Sequence, residues 1–126
     1  MKLETLSTEK APAAIGPYSQ AVKYGNMLFC SGQIPLDPVT GGLVEGDITR
    51  QTNQVMNNIA ALLSAADTGF DDVIKTTIYL TDMADFAAVN EVYGKRFPKH
   101  KPARSTIGVK SLPRGAMVEI EVIAAL

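Results

Sequence analysis

Cysteine and histidine are each present once in these 126 residues, and that scarcity removes whole classes of chemistry. A lone cysteine cannot form an intrachain disulfide. Cys30 lies in the apolar stretch Met27-Leu28-Phe29-Cys30-Ser31, where a free cysteine ordinarily serves as a small buried hydrophobe. His100 stands between Lys99 and Lys101 in a segment that reads as loop. One cysteine and one distant histidine cannot build a typical zinc site, so no metal is expected. Neither a Gly-x-Ser-x-Gly elbow nor a convincing Ser-His-Asp set is recognisable.

Charge of one sign is also lacking: 12 basic residues face 13 acidic ones, for a net charge of −1. Nucleic-acid binders draw most of their non-specific affinity from phosphate neutralisation and carry a basic excess or stripe. The nearest cluster, Lys95-Arg96 with Lys99-His100-Lys101, suits the negative end of a helix. No nucleic-acid partner is expected. No apolar run approaches the roughly 20 residues that span a bilayer, so no membrane partner is expected either. The N-terminal Met1-Lys2-Leu3-Glu4-Thr5-Leu6-Ser7 lacks the apolar centre of a secretory signal and carries an early acid. Cytoplasm is the expected location.

The hydrophobic fraction of 46% is that of a globular chain, and no linker, repeat or low-complexity tract divides it. A single domain over 1–126 is expected. Residues 18–24 alternate weakly and end at the turn pair Gly25-Asn26; residues 27–34 resume as an apolar strand, so the two read as a hairpin. A turn-rich stretch from Pro35 to Gly42 follows. Asp47 then caps a helix running to about Ala66, with Gly69 as its stop. Val55, Met56, Ile59, Leu62, Leu63 and Ala66 follow helical spacing and define a core stripe, while Arg50, Gln51, Asn53, Gln54, Asn57 and Asn58 cover much of the other faces. Asp71-Asp72 reads as a solvated turn, and Val73–Leu80 is a β-branched strand without breakers. Asp82 caps a second helix through Phe97, with Phe86, Val89, Val92 or Tyr93, and Phe97 as its stripe and Pro98 as its end. Strands Arg104–Val109 and Val118–Ala125, joined by a turn containing Pro113-Arg114-Gly115, close the chain. The order β-β-α-β-α-β-β, with room for another N-terminal strand, describes an α+β fold: one mixed sheet with both helices on one face.

Two helices leave the second face of the sheet uncovered. On the last strand Val118, Ile120, Val122 and Ala124 point one way, towards the helices, and Glu119, Glu121, Ile123 and Ala125 the other. A face half acidic and half apolar is expected to be buried by other subunits. Arg104, opening its strand after Pro102, shares a face with Thr106 and Gly108. Were this the same outward face, Arg104 would meet Glu119 or Glu121 at a subunit interface. The pair would then be an interface salt bridge, or an anion anchor beside a water-activating base; a guanidinium fork fits a carboxylate bidentately.

Five segments occur in register along the chain: Ala11-Pro12-Ala13-Ala14-Ile15-Gly16-Pro17-Tyr18-Ser19-Gln20, Ser31-Gly32-Gln33-Ile34-Pro35, Asn90-Glu91-Val92-Tyr93, Pro102-Ala103-Arg104-Ser105 and Val118-Glu119-Ile120-Glu121-Val122. Together they resemble the RidA (reactive intermediate deaminase, YjgF-like) family from end to end. The resemblance implies a chorismate-mutase-like fold, a homotrimer with three clefts between subunits, and no cofactor. It implies hydrolysis of 2-imino acids and their enamine tautomers to 2-keto acids and ammonia, the imines being released by pyridoxal-phosphate-dependent dehydratases acting on threonine and serine. Carried onto this sequence, Arg104 grips the substrate carboxylate and Glu119 holds or activates water. Tyr18 lines the pocket and relays a proton or orients the imine; Ser31 and Gly32 contribute a hydroxyl and backbone groups. Thr106 stands near the carboxylate where many members have cysteine, and Asn90 matches a pocket edge. From the residues alone, Tyr18 is equally a packed aromatic, Ser31 a local backbone partner, and Glu121 the acid that matters. A 2-keto-acid-sensing module without turnover and an endoribonuclease are the competing functions.

Overall fold

The computed structural model describes residues Met1–Leu126. Six strands, β1 (Leu3–Leu6), β2 (Ala21–Tyr24), β3 (Met27–Gln33), β4 (Val73–Leu80), β5 (Ala103–Gly108) and β6 (Val118–Ala125), form one sheet in the order β1-β2-β3-β6-β4-β5. The helices are α1 (Ile48–Ala65) and α2 (Phe86–Gly94). Only β4 and β5 pair in parallel. β3 and β4 both run antiparallel to β6, so α1 connects two strands of like direction, as α2 does. Both crossovers move the same way across the sheet, and the shared right-handed rule therefore drops both helices onto one face.

The expected layer arrangement holds. Val118, Ile120, Val122 and Ala124 of β6 are buried in one core with Val55, Met56, Ile59, Leu62 and Leu63 of α1. The opposite face carries Leu3, Tyr24, Phe29 and Ile107, all exposed, beside Ile123. No helix is long and apolar enough to cross a membrane.

Several boundaries differ from the sequence expectation. The hairpin strand starts at Ala21, not Tyr18, because Gly16 at φ 130° and Pro17 hold the preceding residues in a turn. Asp47 does cap α1, accepting from the Arg50 N–H at 2.9 Å. The helix stops at Asp67, not Gly69: Asp67 takes φ 58°, and its N–H and that of Thr68 bond the Ser64 and Leu63 carbonyls. Asp82 caps a single 3-10 turn, Met83–Asp85, that precedes α2. α2 itself ends at Gly94, yet Phe97 still reaches the core, packed on Tyr93 and Phe70.

Two polar side chains expected on solvent faces of α1 are buried instead. Gln51 donates to the Val44 carbonyl and accepts from the Met117 N–H; Asn58 donates to the Ile34 and Leu36 carbonyls. They tie the turn-rich 34–44 segment and the start of β6 to the helix, which fixes two walls of the cleft described below.

Candidate active site

The expected site residues fall into two groups on opposite faces of the sheet. The first lines an open cleft of about 670 Å³ that includes Tyr18, Ser31, Gly32, Glu119 and Glu121. The β3–β6 ladder shifts register between Cys30 and Gln33, so Ser31 and Gly32 lie in an irregular stretch that can re-aim their groups. Ser31 Oγ donates to the Ser19 carbonyl at 2.5 Å, and the Ser31 N–H to the Gln20 carbonyl at 3.0 Å, holding the loop that carries Tyr18. Gln20, buried, accepts from the Thr8 N–H and donates to the Pro12 carbonyl at 2.7 Å each, which pins the loop's other end. Tyr18 itself is 54% exposed, its ring open to the cleft.

Gly32 is where it is because of Glu119. A Cβ on residue 32 would come within 2.3 Å of Glu119 Oε2, so only glycine lets the carboxylate lie against the strand. Burial, and then the neighbouring Glu121 charge, hold the Glu119 carboxyl above its ordinary 4.5. Glu121 instead accepts a hydrogen bond from the Tyr79 hydroxyl at 3.0 Å.

Arg104 belongs to the second group, and the condition of a face shared with the acids is not met. Its register partner is Thr76, which is buried on the helix side and bonded to the Tyr93 hydroxyl. Arg104 and Thr106 therefore face α2, whereas Glu119 and Glu121 pair with Tyr79 and Thr77 on the other face. Within one chain the arginine and the acids do not meet. The Arg104 guanidinium lies 5.1 Å from the Tyr93 ring centre and 5.5 Å from that of Phe86, and one nitrogen donates to Asn90 Oδ1 at 2.7 Å. Asn90 is thus a brace for Arg104. Beside it, Thr106 Oγ1 is buried with no hydrogen-bond partner in the chain.

Sequence reasoning missed Tyr79, Arg114 and Gln20. Arg114 adopts φ 62° between Pro113 and Gly115 and lines the cleft, the only cation to do so; the Pro-x-Gly turn was its visible trace. Cys30 behaves as a structural residue: it is buried, and burial pushes its thiol up to about 12.

A mixed six-stranded sheet with two helices on one face is the fold of the RidA/YjgF proteins. The family model described as Endoribonuclease L-PSP matches residues 8–126. Among curated relatives, a RutC family protein of Pyrococcus horikoshii is 56% identical over 96% of each chain. The chloroplastic Reactive Intermediate Deaminase A of Arabidopsis thaliana is 52% identical over all of this chain and 67% of its own. The 2-iminobutanoate/2-iminopropanoate deaminase of Mus musculus is 49% identical over 96% of this chain and 90% of its own. Of solved structures, a Rid family protein of Yersinia pestis superposes with a TM-score of 0.97 at 49% identity, covering 99% of this chain and all of that one. Escherichia coli TdcF, solved with bound serine, gives 0.93 at 41% identity over 98% of both chains. The chain belongs to the YjgF/RidA family.

Proposed function

We propose that this protein hydrolyses small 2-imino acids and their enamine tautomers, such as 2-iminobutanoate and 2-iminopropanoate, to 2-keto acids and ammonia. One observation carries the reading: two incomplete half-sites, an arginine with an unpartnered threonine hydroxyl and an acid-floored cleft, lie on opposite faces of one chain. A second copy laid against the open sheet face brings Arg104 of one subunit to the cleft of the next. Three such contacts close a homotrimer and bury the apolar residues Phe29 and Ile107 now exposed.

In that cleft the braced Arg104 fork takes the substrate carboxylate, and Thr106 Oγ1 adds a donor. A protonated imine is already electrophilic, so the work left is positioning and proton transfer, worth roughly 100-fold to 10,000-fold for the latter. Water adds to the C=N carbon as Glu119 takes its proton. Glu119 then returns a proton to the carbinolamine nitrogen, the C–N bond breaks with its electron pair leaving on ammonia, and the hydroxyl gives its proton to the Glu119 carboxylate to become the keto oxygen. Tyr18 orients the imine from the opposite wall, while Ser31 holds the Tyr18 loop.

The test is a coupled assay in which threonine dehydratase generates the imine and semicarbazide traps what persists. Wild type should reduce trapping, and a folded, assembled Arg104→Ala protein should not. No reduction by either defeats the proposal. A serine-bound relative leaves ligand sensing as the second reading, favoured if 2-keto acids bind without turnover.

A further inference from the structure

Glu119 and Glu121 stand two residues apart on β6, on one face and in one cleft, but their surroundings differ. Tyr79 is directly across from Glu119 in the β4–β6 register, yet its hydroxyl reaches diagonally to Glu121 Oε1 at 3.0 Å. Glu119 lies instead on Gly32. Resting on the reading of Glu119 as the proton carrier, we infer that Tyr79 and Glu121 are positioning residues for it. The tyrosine fixes the Glu121 carboxylate, and that fixed negative charge governs when Glu119 holds its proton.

The chemistry asks for such a device. Glu119 must accept a proton from water and then deliver one to the departing nitrogen, and a group doing both works best when neither form is strongly favoured at the working pH. An isolated carboxylate in water is too weak an acceptor for this; a second carboxylate held nearby makes it a stronger one. The charged and titratable groups around Glu119 are few. Glu121 comes from its own strand, Tyr79 from β4, Tyr18 from the loop before β2 and Arg114 from the turn before β6, and the proposed assembly adds the partner subunit's Arg104. β3 brings only Ser31, Gly32 and Gln33, none of which ionises. Lys75 shares the adjoining hollow with Glu121, on the side away from Ser31 and Gly32. The directions agree: Glu119 is raised by burial and then by Glu121, and Tyr79 is raised first by its bond to Glu121.

The experiment uses the assembled protein with 13C-carboxyl-labelled glutamate, the Glu119 resonance being identified by its loss in Glu119→Gln. Its titration is followed by NMR in wild type, Glu121→Gln and Tyr79→Phe, beside the pH profile of kcat/KM for the imine. In Glu121→Gln, both the Glu119 titration and the acid limb of the profile should move to lower pH. Tyr79→Phe should move them the same way by less, since Glu121 keeps its charge and loses its tether. An unmoved Glu119 titration in Glu121→Gln overturns the inference, as does a loss of activity uniform across pH. Absence of imine turnover in wild type would defeat the proposed function instead, while the NMR titration would still report on the positioning.

Discussion

Adding one methyl group at residue 32 tests the placement of Glu119 directly. Gly32 has no left-handed backbone requirement, so alanine is compatible with its conformation and even restricts the unfolded chain, worth about 0.4–1 kcal/mol. The new Cβ, however, falls 2.3 Å from Glu119 Oε2 and 2.9 Å from its Cδ, where ordinary contact begins at 3.4 Å. The carboxylate must therefore retreat by about 1.1 Å, the difference between 3.4 and 2.3 Å. It is the far end of a flexible side chain, so it can do so, and stability should change by no more than about 1 kcal/mol. Activity is another matter. A misplacement near 1 Å in a catalytic group costs on the order of 100-fold, or about 2.7 kcal/mol of barrier. Gly32→Ala should then fold and assemble normally, with kcat for imine hydrolysis down about 100-fold in the dehydratase-coupled assay. Gly69→Ala is the control: nothing lies within 4 Å of its Cβ position, and its φ of −157° suits any residue. If Gly32→Ala keeps kcat within about 3-fold of wild type, the carboxylate position is not what the chemistry uses.

Further expectations follow from other contacts. Arg104→Lys keeps the charge but loses the fork and the stacking on Tyr93, and should raise KM; Arg104→Ala should cost about 2–5 kcal/mol of substrate binding, and unchanged KM in either would remove the anchor role. Thr106→Val, nearly isosteric, removes a buried hydroxyl without a partner. It should leave the urea midpoint unchanged or higher while raising KM about 10-fold, a split that a merely structural threonine would not produce. Because Glu119 titrates above 4.5 in the folded chain, its ionisation opposes folding at neutral pH, and that cost disappears as pH falls through the raised value. Glu119→Gln should thus be more stable than wild type at pH 7 and equal to it near pH 4, measured by urea denaturation at one protein concentration. Finally, Cys30, with its thiol pushed up to about 12, should resist Ellman's reagent at pH 8 until the protein is unfolded, and then yield one thiol per chain.

Local patterns carried much of the architecture. Val118–Ala125 is legible to the residue because it alternates without a breaker, Val73–Leu80 because it is a β-branched run without a breaker, and the α1 stripe because its spacing has only one buried solution. The errors share a different origin. Gln51 and Asn58 look like solvent residues until the 34–44 loop folds over them, and nothing within the helix encodes that loop's path. The sequence extends α2 to Phe97 because Pro98 is a stronger written stop than Gly94, while the chain turns already at Arg96 and Phe97 through bonds to the Tyr93 and Gly94 carbonyls. Tyr79 looks like any strand residue in the sequence, since its diagonal bond to Glu121 depends on pairing across 42 positions.

The face of Arg104 is the instructive case. Alternation says that Arg104, Thr106 and Gly108 point together; which way they point is set by whether Arg104 or its neighbour pairs with Thr76, and a one-residue slip exchanges the faces. The observed register sends Arg104 to α2, where Asn90, Tyr93 and Phe86 brace it, and Ser105 and Ile107 to the open side. The other register would have put arginine and acids on one face of one chain, with β4 between their strands. Keeping them apart leaves each half with unmet capacity: a fork with spare donors at the sheet edge, and in the cleft a carboxyl held above its ordinary value by burial and by Glu121. Under the proposed function the two halves work only when a second chain joins them, which makes catalysis depend on assembly. Dilution below the dissociation constant of the oligomer should therefore abolish imine turnover in step with loss of the oligomer, and a fully active monomer would contradict the divided site.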